Sequence, residues 1–148
     1  MNKWSIYLLG MLVAAAIGCS SQQNSAQKLS FSSNNGNLTL PSGFKAVVVS
    51  DSVGPARHLT ADDDGDLYVA LSQLQNGNGI AALRDENGDG KAERVEYFGN
   101  STGTGIQLHN GYLYFGSDTT IVRYKMNGDE LVPSTDPETV VSGFPEQS

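Results

Sequence analysis

The chain has 148 residues, 39% of them hydrophobic, with one cysteine and a formal net charge of −7. A lone cysteine excludes an internal disulfide and a thiolate metal centre. The acidic balance, with no basic cluster to offset it, excludes nucleic acid as a partner, because phosphate binding needs a basic face.

In chain order, MNKWSIYLLGMLVAAAIGCSSQQ comes first: a Lys-bearing start, an apolar run from Trp4 to Gly18, and the tetrapeptide Ala16-Ile17-Gly18-Cys19. The run is too short to span a bilayer and ends on small residues, so residues 1–18 read as a helical secretory signal. This ending resembles the lipobox of bacterial lipoproteins. The resemblance implies that Cys19 becomes the lipid-bearing first residue and that the membrane is contacted through this anchor. By the same analogy, Ser20 implies passage to the outer membrane of a bacterial cell envelope, facing the periplasm or the exterior. An ordinary signal that leaves Cys19 free is the other reading. Residues 19–37, rich in Ser, Asn and Gln, predict a flexible polar tether, with folded material from Leu38 onward.

From residue 38 to 148 the chain reads as all-β. "DGDLYVA" (64–70) returns as "NGYLYFG" (110–116), an offset of 46 residues between Asp64 and Asn110. Asp64-Gly65 and Asn110-Gly111 each separate two runs rich in apolar and β-branched residues, the pattern of a hairpin with a type I′ turn. Further pairs of runs follow: "GIAALR" and "RVEYFG", then "TIVRYKM" and "ETVVSGF". Each unit is thus four strands over about 40 to 45 residues, the size of one propeller blade. The predicted blades cover about 54–99 and 100–144, and a sandwich or small barrel is the structural alternative. Two blades leave apolar faces open, so the chain is expected to be the amino-terminal piece of a longer propeller, with Phe44 to Ser50 forming an outer strand of a last blade outside it.

Between the third and fourth strands lies "DENGDGKAERVE" (85–96). Its spacing fits the calcium loop D-x-[DN]-x-[DN]-G-x5-E, but no flanking helices are predicted, so the EF-hand reading fails. Two readings stay open. Asp85, Asn87 and Asp89 converge as hard oxygen ligands for calcium, with Glu93 or Glu96 closing the shell, or the same residues make a solvated tight turn. The run "ADDDGD" ending at Asp66 lacks a distal Glu and reads as an acidic turn.

With "LPSGFKAVVVS", "ARHLTADDDGDLYVA", "ALRDENGDGKAERVEYF" and "GIQLHNGYLYFGSDTTIVRY" in view, residues 40–144 resemble the start of the glucose/sorbosone dehydrogenase family. These are bacterial six-bladed propellers that use pyrroloquinoline quinone (PQQ). The resemblance implies oxidation of a small sugar, alcohol or aldehyde outside the cytoplasm, with the quinone taking the hydride and calcium activating it. It also implies that the catalytic His base and the basic residues gripping the quinone lie outside residues 1–148, so the piece alone is expected to be inactive. On a propeller the channel-mouth candidates are Arg57, His58, Gln73, Thr102 and Thr104. Arg57 suits a quinone carboxylate by a bidentate contact, against an inter-blade or solvated charge. His58 reads as a channel base or as a hydrogen-bonded packing residue. His109, beside the Asn110-Gly111 turn, reads as exposed. The alternative function is a non-catalytic propeller lipoprotein that binds a protein or glycan.

Overall fold

A computed structural model describes residues 28–145. The signal segment and Cys19 lie outside the described residues. The fold is all-β, made of two antiparallel four-stranded sheets. The first runs β1 (Ala56–Ala61), β2 (Leu67–Gln75), β3 (Asn78–Arg84) and β4 (Arg94–Phe98). The second runs β5 (Gly105–His109), β6 (Tyr112–Gly116), β7 (Thr120–Lys125) and β8 (Glu138–Ser142). In both, spatial order follows chain order, so each sheet is a simple meander.

The turns that build the meanders follow from their chemistry. His109 pairs with Tyr112, and Asn110 and Gly111 between them take φ of 48° and 74°, the two-residue I′ turn expected of Asn-Gly. Asn76-Gly77 does the same between Gln75 and Asn78, with φ of 51° and 84°. The Asp64-Gly65 turn departs from expectation. The last pair of that hairpin is Ala61 with Leu67, leaving residues 62–66 as a longer loop in which Gly65 has positive φ and Asp64 does not. The cause is Asp62, whose Oδ1 accepts the N–H of Asp64 (3.0 Å) and of Asp66 (2.8 Å), winding the loop around one carboxylate.

Alternation along the strands sorts side chains onto two faces. One face of the first sheet, with Tyr68, Ala70, Ile80 and Ala82, packs against Ile106, Leu113 and Phe115 of the second. Its other face, with Val69, Leu71, Ala81 and Leu83, is covered by Val49 and Val53 from the segment before β1. Each fully buried large side chain of this kind contributes about 1.5 to 3 kcal/mol. Backbone contact between the sheets concentrates where β5 meets β1 and β2, rather than spreading across all four strands. The small residue Ala70 stands on β2, one of the strands that β5 approaches. The same core holds Tyr124, which meets the Phe98 ring edge-on at 5.2 Å, and Leu131.

Two boundaries move. The polar tether does not extend to residue 37: Ser30 N–H donates to Asp89 O (2.6 Å), Ser32 N–H to Ala46 O (3.1 Å), and a 3-10 turn forms at Asn35–Asn37. Backbone pairing therefore starts before Leu38. Phe44 to Ser50 forms no strand. It runs beside the Asp-rich loop, where Val49 O accepts from Ala92 N–H at 2.9 Å while Phe44 stays exposed.

Candidate functional site

The Asp-rich loop hangs between β3 and β4, and Asp85 is its keystone. One carboxylate oxygen accepts the N–H groups of Asn87 (3.2 Å) and Gly88 (2.7 Å), and the other that of Gly90 (2.6 Å). Asn87 and Asp89 repeat the device two residues on, accepting from Asp89 N–H and Lys91 N–H, each at 2.9 Å. Glu93 folds back across the mouth. It accepts from Glu86 N–H at 2.9 Å and from the Asn87 side-chain amide at 2.6 Å. Carboxylate oxygens of Asp85, Asp89 and Glu93 consequently lie within 4.8 Å of one another. Hard oxygens so grouped are the donors a calcium ion takes.

Glu96 is not part of this group. It stands on β4 opposite Ala82 and forms an ion pair with Arg94. Glu93 takes the place given by spacing to position twelve, because β4 begins at Arg94 and its alternation turns Glu96 onto the sheet face.

Burial alone would raise the Asp85 pKa, but the backbone N–H groups of Gly90, Gly88, Asn87 and Asp89 outweigh it and hold the carboxyl below its usual range. A depressed folded pKa stabilises fully above the unfolded value of about 3.9, and that stabilisation is lost as pH falls through the folded value. Asp85→Ala removes three backbone acceptor bonds at once. It is expected to lower stability by about 2 kcal/mol at neutral pH and to flatten the acid limb of a melting-temperature profile. An unchanged acid limb in the variant would show that the carboxylate does not hold the loop.

Of the channel-mouth candidates, the structure brings together only some. His58 Nδ1 donates to Thr104 O at 2.9 Å, tying β1 to the segment that enters β5. Arg57 is exposed on β1 and shares with His58, Leu59 and Val69 an open cleft of about 270 Å³. Gln73 is exposed on β2 within the register shift between Ala70 and Gln75 and does not line that cleft. Thr102 is half-buried in the link between the sheets. His109 is exposed, with Nε2 accepting from the Asn110 amide at 3.0 Å.

The acidic turn holds a group that spacing alone did not single out. Asp66 is 4% exposed, and Arg84 forks onto it, with Nε 2.9 Å from Oδ1 and Nη2 2.5 Å from Oδ2. Arg84 Nη1 also donates to Asp129 O at 2.9 Å, joining the two sheets. Beside this pair the Tyr68 phenol is pushed up to about 12, by burial first and then by the charges of Asp66 and Asp62, so it stays neutral. The available signal was Asp66 standing one residue before β2, opposite the last residue of β3.

The chain matches no family model, no curated protein and no solved structure. Its functional reading therefore rests on its own residues. Among the described residues, the hard-oxygen group at 85–93 and the exposed cation at Arg57 stand on separate parts of the first sheet, one at the β3–β4 turn and one on β1.

Proposed function

We propose that these two sheets are consecutive blades of an envelope-anchored β-propeller of the glucose/sorbosone dehydrogenase type, with hydride transfer carried out by residues outside them. The observation that carries this reading is the wedge between the sheets, whose backbones approach each other most closely where β5 meets β1 and β2. Sheets arranged around an axis converge on their innermost strands, whereas a sandwich keeps an even gap of about 10 Å. The resemblance of four stretches to that family is the ground for assigning this chemistry to the residues outside them.

PQQ, where bound, supplies the hydride acceptor. The part of this chain is positional. Arg57, exposed on an innermost strand, offers a planar guanidinium to an anionic carboxylate of the quinone. The His58 bond to Thr104 O fixes the rim beside it. Calcium would sit on Asp85, Asp89 and Glu93, away from Arg57, as a clamp on the β3–β4 turn.

The test uses the full gene product with added PQQ and calcium, read by dye-linked oxidation of aldoses and by quenching of protein fluorescence. Arg57→Ala is expected to weaken quinone binding by roughly 10-fold or more, as loss of one charge-assisted contact would. Millimolar calcium is expected to raise the melting midpoint, and Asp89→Asn to remove that rise; this variant keeps the acceptor for Lys91 N–H and so spares the turn. Absence of both quinone binding and oxidation would leave the second reading, a propeller that binds a protein or glycan. That reading is favoured by the openness of the Arg57 cleft and the separation of Gln73 from it.

A further inference from the structure

Charge divides this chain at Asp51. Residues 1–50 contain no Asp or Glu, so all 16 acidic residues lie in residues 51–148, against six Lys and Arg there. The body is strongly negative, whereas the charged side chains of the described residues before it are Lys28 and Lys45 alone. Those residues form a closed lobe. Ser32 N–H donates to Ala46 O (3.1 Å) and Ala46 N–H to Asn35 Oδ1 (3.3 Å), joining its two ends. Inside it the 3-10 turn at Asn35–Asn37 and the Phe44 N–H bond to Pro41 O (3.2 Å) fix the backbone.

The lobe displays side chains that water does not favour. Among the exposed large apolar residues of the described chain, Phe44 at 69% and Leu38 at 60% are the most exposed, and Leu29 and Phe31 are exposed as well. Lys45 Nζ stands 5.2 Å from the Phe31 ring centroid, so a cation flanks the apolar group. Apolar and aromatic tips beside lysines are what the interface of an anionic bilayer takes up. Acidic residues meet the lobe at its base, where Asp89 O accepts from Ser30 N–H at 2.6 Å and Asp51 follows Ser50.

We infer that the lobe at residues 29–45 is a membrane-docking surface, with Leu38 and Phe44 entering the headgroup region of an anionic phospholipid bilayer and Lys28 and Lys45 resting on its phosphates. The inference rests on the lipid-anchored reading of Cys19 and goes beyond it, since an anchored protein can hang clear of the bilayer. Cys19 stands nine positions before Lys28, so the chain between them reaches at most roughly 30 Å. A tether that short gives the lobe an effective concentration of about a millimolar at the surface, enough for a contact made by a few side chains. Repulsion of the negative body by anionic headgroups turns the lobe, and not the strands, toward the lipid.

The test uses the lipidated full gene product on vesicles of phosphatidylethanolamine and phosphatidylglycerol. An environment-sensitive dye is carried on a single introduced thiol, Phe44→Cys or Leu74→Cys, and its quenching by nitroxide-bearing lipid is measured. Leu74 is a matched control, exposed at 46% and close to the Asn76-Gly77 turn, at the opposite end of β3 from the Asp-rich loop. The dye at position 44 is expected to be quenched at least about 5-fold more than the dye at position 74. In the Cys19→Ser product, Leu38→Asp with Phe44→Asp is expected to reduce co-sedimentation with the same vesicles by about 10-fold or more, with the melting midpoint unchanged because both side chains are exposed. Equal quenching at the two positions overturns the inference. So does a dye at position 44 that is already shielded without vesicles, since a protein surface then covers the lobe. The mass of the mature amino terminus reads the anchor separately. A lipid on Cys19 without quenching at position 44 removes only the docking, and vesicle binding through the lobe without a lipid on Cys19 removes only the anchor.

Discussion

Replacing Arg84 with alanine is expected to lower stability by about 3 to 5 kcal/mol, because the variant leaves the Asp66 carboxylate buried without its partner. Asp66 is 4% exposed, and its side chain takes the fork of Arg84 at 2.5 to 3.1 Å. The same substitution frees Asp129 O, the anchor of the turn beyond β7, so the join between the sheets loosens as well. In a chain of this size the loss corresponds to a drop in melting midpoint of roughly 10 °C or more. The double variant Asp66→Leu with Arg84→Met separates the two contributions. It removes both charges together and keeps apolar volume, so it is expected to regain most of the stability. A thermal double-mutant cycle reads the coupling, and near-additive losses would mean that the pair is a surface ion pair with little net effect.

The residues that made the fold readable are those whose chemistry acts locally. Asn110-Gly111 specifies its turn because both positions take positive φ, and Asn76-Gly77 carries the same signal between β2 and β3. Asp64-Gly65 has that signature too, yet its loop is set by Asp62, three residues before the glycine, whose side chain competes for the backbone N–H groups. Four strands per unit could be read because their alternation and spacing are short-range properties. What could not be read depends on distant partners. Glu96 is excluded from the acidic group by where β4 begins, Asp66 is buried by a strand that follows it, and residues 28–37 are ordered by the carbonyls of Ala46 and Asp89. Local propensity marks "KLSFSSNNGN" as polar, but backbone pairing needs only available donors and acceptors, not apolar side chains.

A second large effect is expected at Gly79, where alanine should lower stability by about 3 kcal/mol, near the upper end for overpacking. Gly79 is buried in β3 and donates its N–H to Gly99 O at 2.7 Å. A Cβ built there falls well inside contact distance of Ser101 O and C, which are backbone atoms of the link between the two sheets. Backbone cannot rotate away as a side chain can, so either β3 or the link must shift. Such a shift reaches beyond the first sheet: the link leads to Thr104, whose carbonyl receives the His58 bond, and on to β5, which forms the narrow part of the wedge. Gly65→Ala is the matched control. Gly65 has φ of 95° but nothing within 4 Å of an added Cβ, so that variant meets only the backbone penalty, roughly 1 to 2 kcal/mol. The discriminating readout is amide hydrogen exchange at Ile106 and Phe115. Gly79→Ala should speed exchange in the second sheet as well as the first, whereas Gly65→Ala should leave the second sheet protected. Equal behaviour of the two variants would mean that the sheets are held together elsewhere, and the convergence on β5 would then carry no energetic weight.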